Sequence, residues 1–171
     1  TDLAIWKNFY LVIYQCNNLI EHLPKSGNLP VANVNQLSNE AKFLRAYAYF
    51  YLVNLYGKVP LVLSTDVNIS AQAPQSEISV IYQQIIKDLT DAKQGLPAAY
   101  TGIGKIRANK WAAVALLSKA YLFQQNWTAA ESEATDVIKS GLYSLLSTPN
   151  NVFLAGSDEA ILQVWTQNGF V

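Results

Sequence analysis

Apolar positions recur at spacings of three and four through most of the chain, the period of a helix buried along one side. In residues 2–22 that stripe is Leu3, Trp6, Tyr10, Ile13, Tyr14 and Leu19. Pro24, Gly27, Asn28 and Pro30 then break it, so 23–35 reads as a loop. A second helix is expected over residues 34–56. From Ala46 to Val53 every residue is Ala, Tyr, Phe, Leu or Val, the pattern of a helix buried on most sides. Gly57 supplies its stop and Pro60 forbids continuation. Leu61, Val62 and Leu63 form a short apolar stretch before a polar loop over 64–75. Ser76 is the expected cap of a third helix, whose stripe is Ile78, Ile81, Tyr82, Ile85, Leu89, Ala92 and Leu96, closed by Gly95 and Pro97. After a loop over 98–106, a fourth helix is expected over 107–124. A fifth comes next, capped by Asn126, with Trp127, Ala130, Ala134, Val137 and Ile138 on one face and Gly141 at its end. Residues 160–166 alternate like a strand, with no evident partner in the chain.

Helices of this length joined in pairs imply an all-α, tetratricopeptide-like antiparallel helix-pair solenoid with a short strand near the C-terminus. The fourth and fifth helices carry Leu117, Ser118, Tyr121 and Ala130 at the offsets of that repeat, where small residues let two helices approach closely. The whole of 1–171 is read as one helical domain, part of a longer protein.

Composition narrows the function. Of 171 residues, 51% are apolar and 14% charged, which excludes an ordinary disordered chain. Twelve basic residues balance twelve acidic ones, so there is no electrostatic footprint for nucleic acid. One cysteine, Cys16, rules out an internal disulfide, and one histidine, His22, rules out a multi-histidine metal centre; no cofactor is expected. No G-x-S-x-G motif occurs, so catalysis is not expected either. No apolar run reaches the length of a membrane span.

The run from Glu40 to Val62, EAKFLRAYAYFYLVNLYGKVPLV, resembles the signature of the SusD/RagB family. Trp6, Tyr10, Ile13 and Asn17 resemble the helix before it. Val80–Leu89 resembles the family's next helix, Ala112–Phe123 and Asn126–Ala130 its repeat pair, and Val137–Tyr143 fits the end of that pair. The resemblance implies a surface lipoprotein of the Bacteroidota outer membrane, on the external face. It would bind an oligosaccharide or polysaccharide without cleaving it and hand it to a SusC-type TonB-dependent transporter. The membrane would be met only through a lipid anchor that this chain does not carry. The alternative is a helical protein-interaction scaffold with no sugar site of its own.

The family's sugar contacts vary, so candidates come from the residues alone. His22, Lys25, Asn28, Asn33 and Asn35 line the first loop with groups that pair with hydroxyls; the loops 64–75 and 98–106, the latter with Tyr100, are the alternative sites. Arg45 lies in the most apolar helix and needs a carboxylate, with Asp88 or Glu40 as the choice; an ion pair locking two helices is the expected role. The cluster Tyr47, Tyr49, Phe50 and Tyr51 is read as core packing rather than as a sugar platform, and Trp6, Trp111 and Trp127 likewise as core.

Overall fold

The computed structural model describes residues 2–27, 29–166, 169 and 170. Asn28 lies outside the described residues. The chain is all-α in tetratricopeptide-like helix pairs and forms two compact units, 1–95 and 96–171.

The first unit holds α1 (Asp2–His22), α2 (Val31–Tyr56), the single turn α3 (Val67–Ser70) and α4 (Ile78–Gly95). α2 is its centre. α1 packs on one side of it and α4 on the other, which is why so much of α2 is apolar. Ala41, Ala46, Ala48, Tyr49, Phe50, Leu52 and Val53 are all buried there, facing Ile81, Ile85, Leu89 and Ala92 of α4 and Ile13 and Cys16 of α1. Burying a Leu or Ile side chain contributes about 1.5–3 kcal/mol, so this seam is the main source of the unit's stability. At its far end the helices come very close: a Cβ on Gly95 would collide with the Asn39 side chain.

Several boundaries differ from the periodic reading. α2 begins at Val31, directly after Pro30, whose fixed φ of −55° suits the position before a first turn. Asn33 and Asn35 therefore lie on a helix and not in a loop. α4 begins at Ile78, because the Ser76 amide donates to Val59 O at 3.0 Å instead of entering the helix. On α1 the inward stripe is Trp6 and Tyr10, half-buried, with Ile13, Cys16 and Asn17, buried, while Leu3, Tyr14 and Leu19 are exposed.

The second unit is built on α5 (Lys110–Phe123) and α6 (Trp127–Lys139). α5 starts three residues later than its apolar pattern implies, because Asn109 is the cap: its side chain accepts from the Ala112 amide at 2.9 Å. Asn126 caps α6 in the same way through Ala129. Ser118 Oγ donates to Ala130 O at 2.7 Å, tying the pair together at the small residues of the repeat pattern. Trp127, expected in the core, is 60% exposed at the start of α6. The expected strand is shorter than its alternation: only Trp165–Thr166 is extended, and it pairs antiparallel with Gly169–Phe170.

Candidate functional site

The chain leaving α2 does not wander. Gly57 takes φ 75°, ψ −122°, a conformation open to glycine, and turns the chain back over α1 and α2. Residues 59–65 then run extended, held by side chains of both helices. Tyr10 Oη donates to Pro60 O at 2.7 Å. Tyr49 Oη, from the buried face of α2, accepts from the Val62 amide at 2.7 Å and lies 2.9 Å from Val62 O. Asn17 Nδ2 also donates to Val62 O, at 3.0 Å. Burial raises the phenols of Tyr10 and Tyr49 well above the ordinary tyrosine value, so both stay protonated donors.

Asn17 connects this segment to the charge centre of the unit. Arg45 Nη1 donates to Asn17 Oδ1 at 2.8 Å, while Nε and Nη2 grip Asp88 in a bidentate pair at 2.8 Å each. Gln84 Nε2 adds a fourth bond, to Asp88 Oδ1 at 2.9 Å. Arg45 is 6% exposed and Asp88 and Asn17 fully buried. The network spans α1, α2 and α4 and reaches the loop backbone, a structural assignment for all four residues. Glu40 lies elsewhere and accepts from Gln36.

The loop then leaves the helices. Thr65 is fixed by Glu21, whose carboxylate accepts from both its amide (3.1 Å) and its hydroxyl. The hydroxyl bond holds the Glu21 carboxyl below the usual range, against the opposing effect of desolvation. Asp66 caps α3 by accepting from the Asn68 amide. Val67 and Ile69 are 67% and 62% exposed, and Asn68, Gln72 and Gln75 are exposed beside them. The loop closes at the Pro60–Gln75 bridge.

Because Glu21 bonds Thr65, the end of α1 adjoins the start of this loop. His22 and Lys25 are exposed at that same end, on the last residue of α1 and on the 3-10 turn Leu23–Lys25. Asn33 and Asn35 are exposed on the first turns of α2. The end of α1 and the start of this loop thus present an exposed imidazole and ammonium near one another, and the first turns of α2 add two exposed amides. Sequence reasoning missed the loop's anchors, Tyr10, Asn17, Glu21, Tyr49 and Thr65. The one signal for them was Asn17, a polar residue on the buried stripe of α1.

Tyr100 is placed differently. It belongs to the second unit, is half-buried, and its hydroxyl lies 2.8 Å from that of Tyr143 and 2.6 Å from Ile161 O. Asn109 Nδ2 reaches Tyr143 Oη and Ala98 O. Lys105 Nζ sits over both rings and donates to Ser157 O and Ala160 O. Tyr100 therefore ties the 98–106 loop to the tail. The ring cluster of α2 is divided: Tyr49 and Phe50 are buried, while Tyr47 and Tyr51 are half-buried. Tyr51 stacks on Phe9 at 6.0 Å and lines an open apolar groove of about 430 Å³ with Ile5, Val12 and Leu55. Among the described residues no cluster of His, Cys, Asp and Glu could hold a metal ion, and no helix is long and apolar enough to cross a membrane.

Residues 1–122 match the family model SusD-like, described as starch-binding and associating with the outer membrane. SusD-like protein P25 of Formosa agariphila is 29% identical over 94% of this chain and 31% of its own length. A SusD-like protein of Bacteroides fragilis superposes with a TM-score of 0.87 at 29% identity, over 97% of this chain and 34% of that one. A laminarin-binding SusD-like protein also superposes at 0.87 and 29% identity, over 94% of this chain and 37% of its own. The chain spans about a third of the length of these relatives.

Proposed function

The chain belongs to the SusD-like family, and from that premise we propose that it serves glycan capture at the outer face of an outer membrane. In this reading it binds an oligosaccharide without cleaving it and passes it to a SusC-type TonB-dependent transporter. The observation that carries the reading is the agreement of nearly the whole chain with a laminarin-binding relative in both fold and sequence. The described surface supports it. Sugars are held by amides and other polar side chains presented on a rigid frame, together with apolar contacts to ring faces. The loop end of the first unit offers His22 and Lys25 at the close of α1, Asn33 and Asn35 at the start of α2, and Asn68, Val67 and Ile69 in the loop, all of them exposed. We assign sugar contact to that end rather than to Tyr100, whose hydroxyl is already engaged.

The scaffold alternative draws on a different feature, the apolar groove at Phe9 and Tyr51, which suits a protein partner better than a sugar. Affinity gels and calorimetry with the full-length protein against laminarin, starch and xyloglucan separate the two. Retention by one glycan, weakened by Asn33→Ala, Asn35→Ala or Asn68→Ala, is the expected result. No retention across the panel, with only a protein partner co-purifying, overturns the glycan reading.

A further inference from the structure

The Pro60–Gln75 loop has the size and closed base of an Ω-loop, a compact surface element of roughly 6–16 residues whose ends lie together. Its first half is pinned to the helices at Pro60 and Val62 by neutral side chains that are part of the core. Its base is fixed by the Ser76 amide on Val59 O and by the Lys58–Glu77 ion pair. The tip is different. The hydrogen bonds described for Asp66–Ala73 are local: Asp66 to Ser64, Asn68, Ile69 and Ser70 to Asp66, Ala71 to Val67, and Ala73 to Ser70. On the leading side the last hydrogen bond described between the loop and a helix is therefore that of Glu21 with Thr65.

We propose that Glu21 is the latch of this loop, the side chain that fixes the tip Asp66–Ala71 as a rigid display in place of a swinging lid. The chemistry suits the task. A carboxylate accepts two bonds at once, from the amide and the hydroxyl of one residue, and charge-assisted bonds are roughly twice as strong as neutral ones. Ser64 and Thr65 face it from the loop, and His22 Nε2 lies 3.9 Å away on its own helix. Unlike Tyr49 and Asn17, Glu21 is not fully buried, so it can be changed without opening the core. A tip that is already ordered loses less conformational entropy when a ligand or partner binds it. The latch is a property of the fold and does not rest on the glycan reading.

Hydrogen exchange in the full-length protein, without ligand, tests it. Glu21→Ala removes both bonds; Glu21→Gln keeps the shape but makes both bonds neutral, its oxygen accepting from the Thr65 amide and its NH2 donating to the Thr65 hydroxyl; Thr65→Val removes the hydroxyl from the other side. The amides of 65–71 exchange about tenfold faster or more in Glu21→Ala, as expected for the loss of hydrogen bonds to a charged group. The increase is smaller in the other two variants, and the amides of 41–53 in α2 keep wild-type protection in all three. Unchanged exchange at 65–71 in Glu21→Ala overturns the proposal. So does a loss of protection spread evenly through α1 and α2, which would make Glu21 a general support of the fold.

Discussion

Arg45 asks more of its surroundings than any other residue. An unpaired guanidinium at that depth costs several kcal/mol, and the protein answers with a bidentate carboxylate and an amide oxygen. Removing one partner leaves the other charge buried alone. Arg45→Met is therefore expected to destabilise by about 3–5 kcal/mol, and Asp88→Leu by a similar amount. The double variant loses less than the sum, since apolar residues of similar volume replace a buried pair at little net cost. Urea unfolding of the four proteins completes the cycle; strictly additive losses would show that the pair acts as two independent side chains. Cys16 sits beside this network at 3% exposure. Burial pushes its thiol up to about 11, with Arg45 pulling it down and Asp88 adding to the rise. The reactive thiolate is scarce at neutral pH and the sulfur is covered. At pH 8 a thiol reagent should label Cys16 only as fast as the fold opens, with immediate labelling in denaturant; prompt labelling of the native protein would contradict this burial.

At the scale of elements, the α5–α6 turn shows how a helix end is read. Gln125 has φ 60°, and the Asn126 amide reaches back to Tyr121 O at 2.9 Å, the bond pattern of a helix stop that normally uses glycine. A side chain in that left-handed region costs about 1–2 kcal/mol, part of which glycine returns as unfolded-state entropy. Gln125→Gly should raise the thermal midpoint, by a net of roughly 0.5–1 kcal/mol in stability; a fall would mean that the Gln125 side chain contributes a contact of its own. The elements also show what a sequence can and cannot disclose. The stripe of α4 was legible from Ile81 to Ala92 because one face meets α2 and the other meets water. The cap at Asn126 was legible because the residue type and position coincide. The stripe of α1 was not, because apolar residues surround that helix and only packing against α2 selects Trp6, Tyr10 and Ile13 over Leu3, Tyr14 and Leu19. Trp127 failed for a different reason: it shares the stripe of Ala130 and Val137, but it is the first residue of α6 and stays 60% exposed at the helix start. In the site, the need of Arg45 for a carboxylate could be read, and the structure places Asp88 there. The Glu21–Thr65 contact could not, because it joins a helix to a loop with no period, across a long stretch of chain.

On the scale of the whole molecule, each unit is tied by buried or half-buried tyrosines that use their hydroxyls as bolts. In the first, Tyr10 and Tyr49 hold the extended 59–65 segment; in the second, Tyr100 holds the tail. Desolvation raises all three phenols, with neighbouring tyrosines adding to the rise at Tyr10 and Tyr100. The consequence for stability has a definite sign. Above about pH 10 an unfolded tyrosine releases its proton while the folded one keeps it, so the folded state binds more protons and stability falls as pH rises. Tyr49, fully buried, contributes a slope of about 1.4 kcal/mol per pH unit beyond that point. Tyr10 and Tyr100 are only half-buried and add less. Between pH 7 and 8 these groups contribute almost no slope, because about two units below the ordinary tyrosine value neither state is appreciably ionised. Urea unfolding at pH 9, 10 and 11 should show a decline that sets in near pH 10. Tyr49→Phe should be less stable at pH 9, having lost its bonds to Val62, yet decline less steeply from pH 10 to 11. Parallel curves for the two proteins would show that the Tyr49 phenol ionises in the folded state as readily as in water, and that the bolt over Val62 is open to solvent.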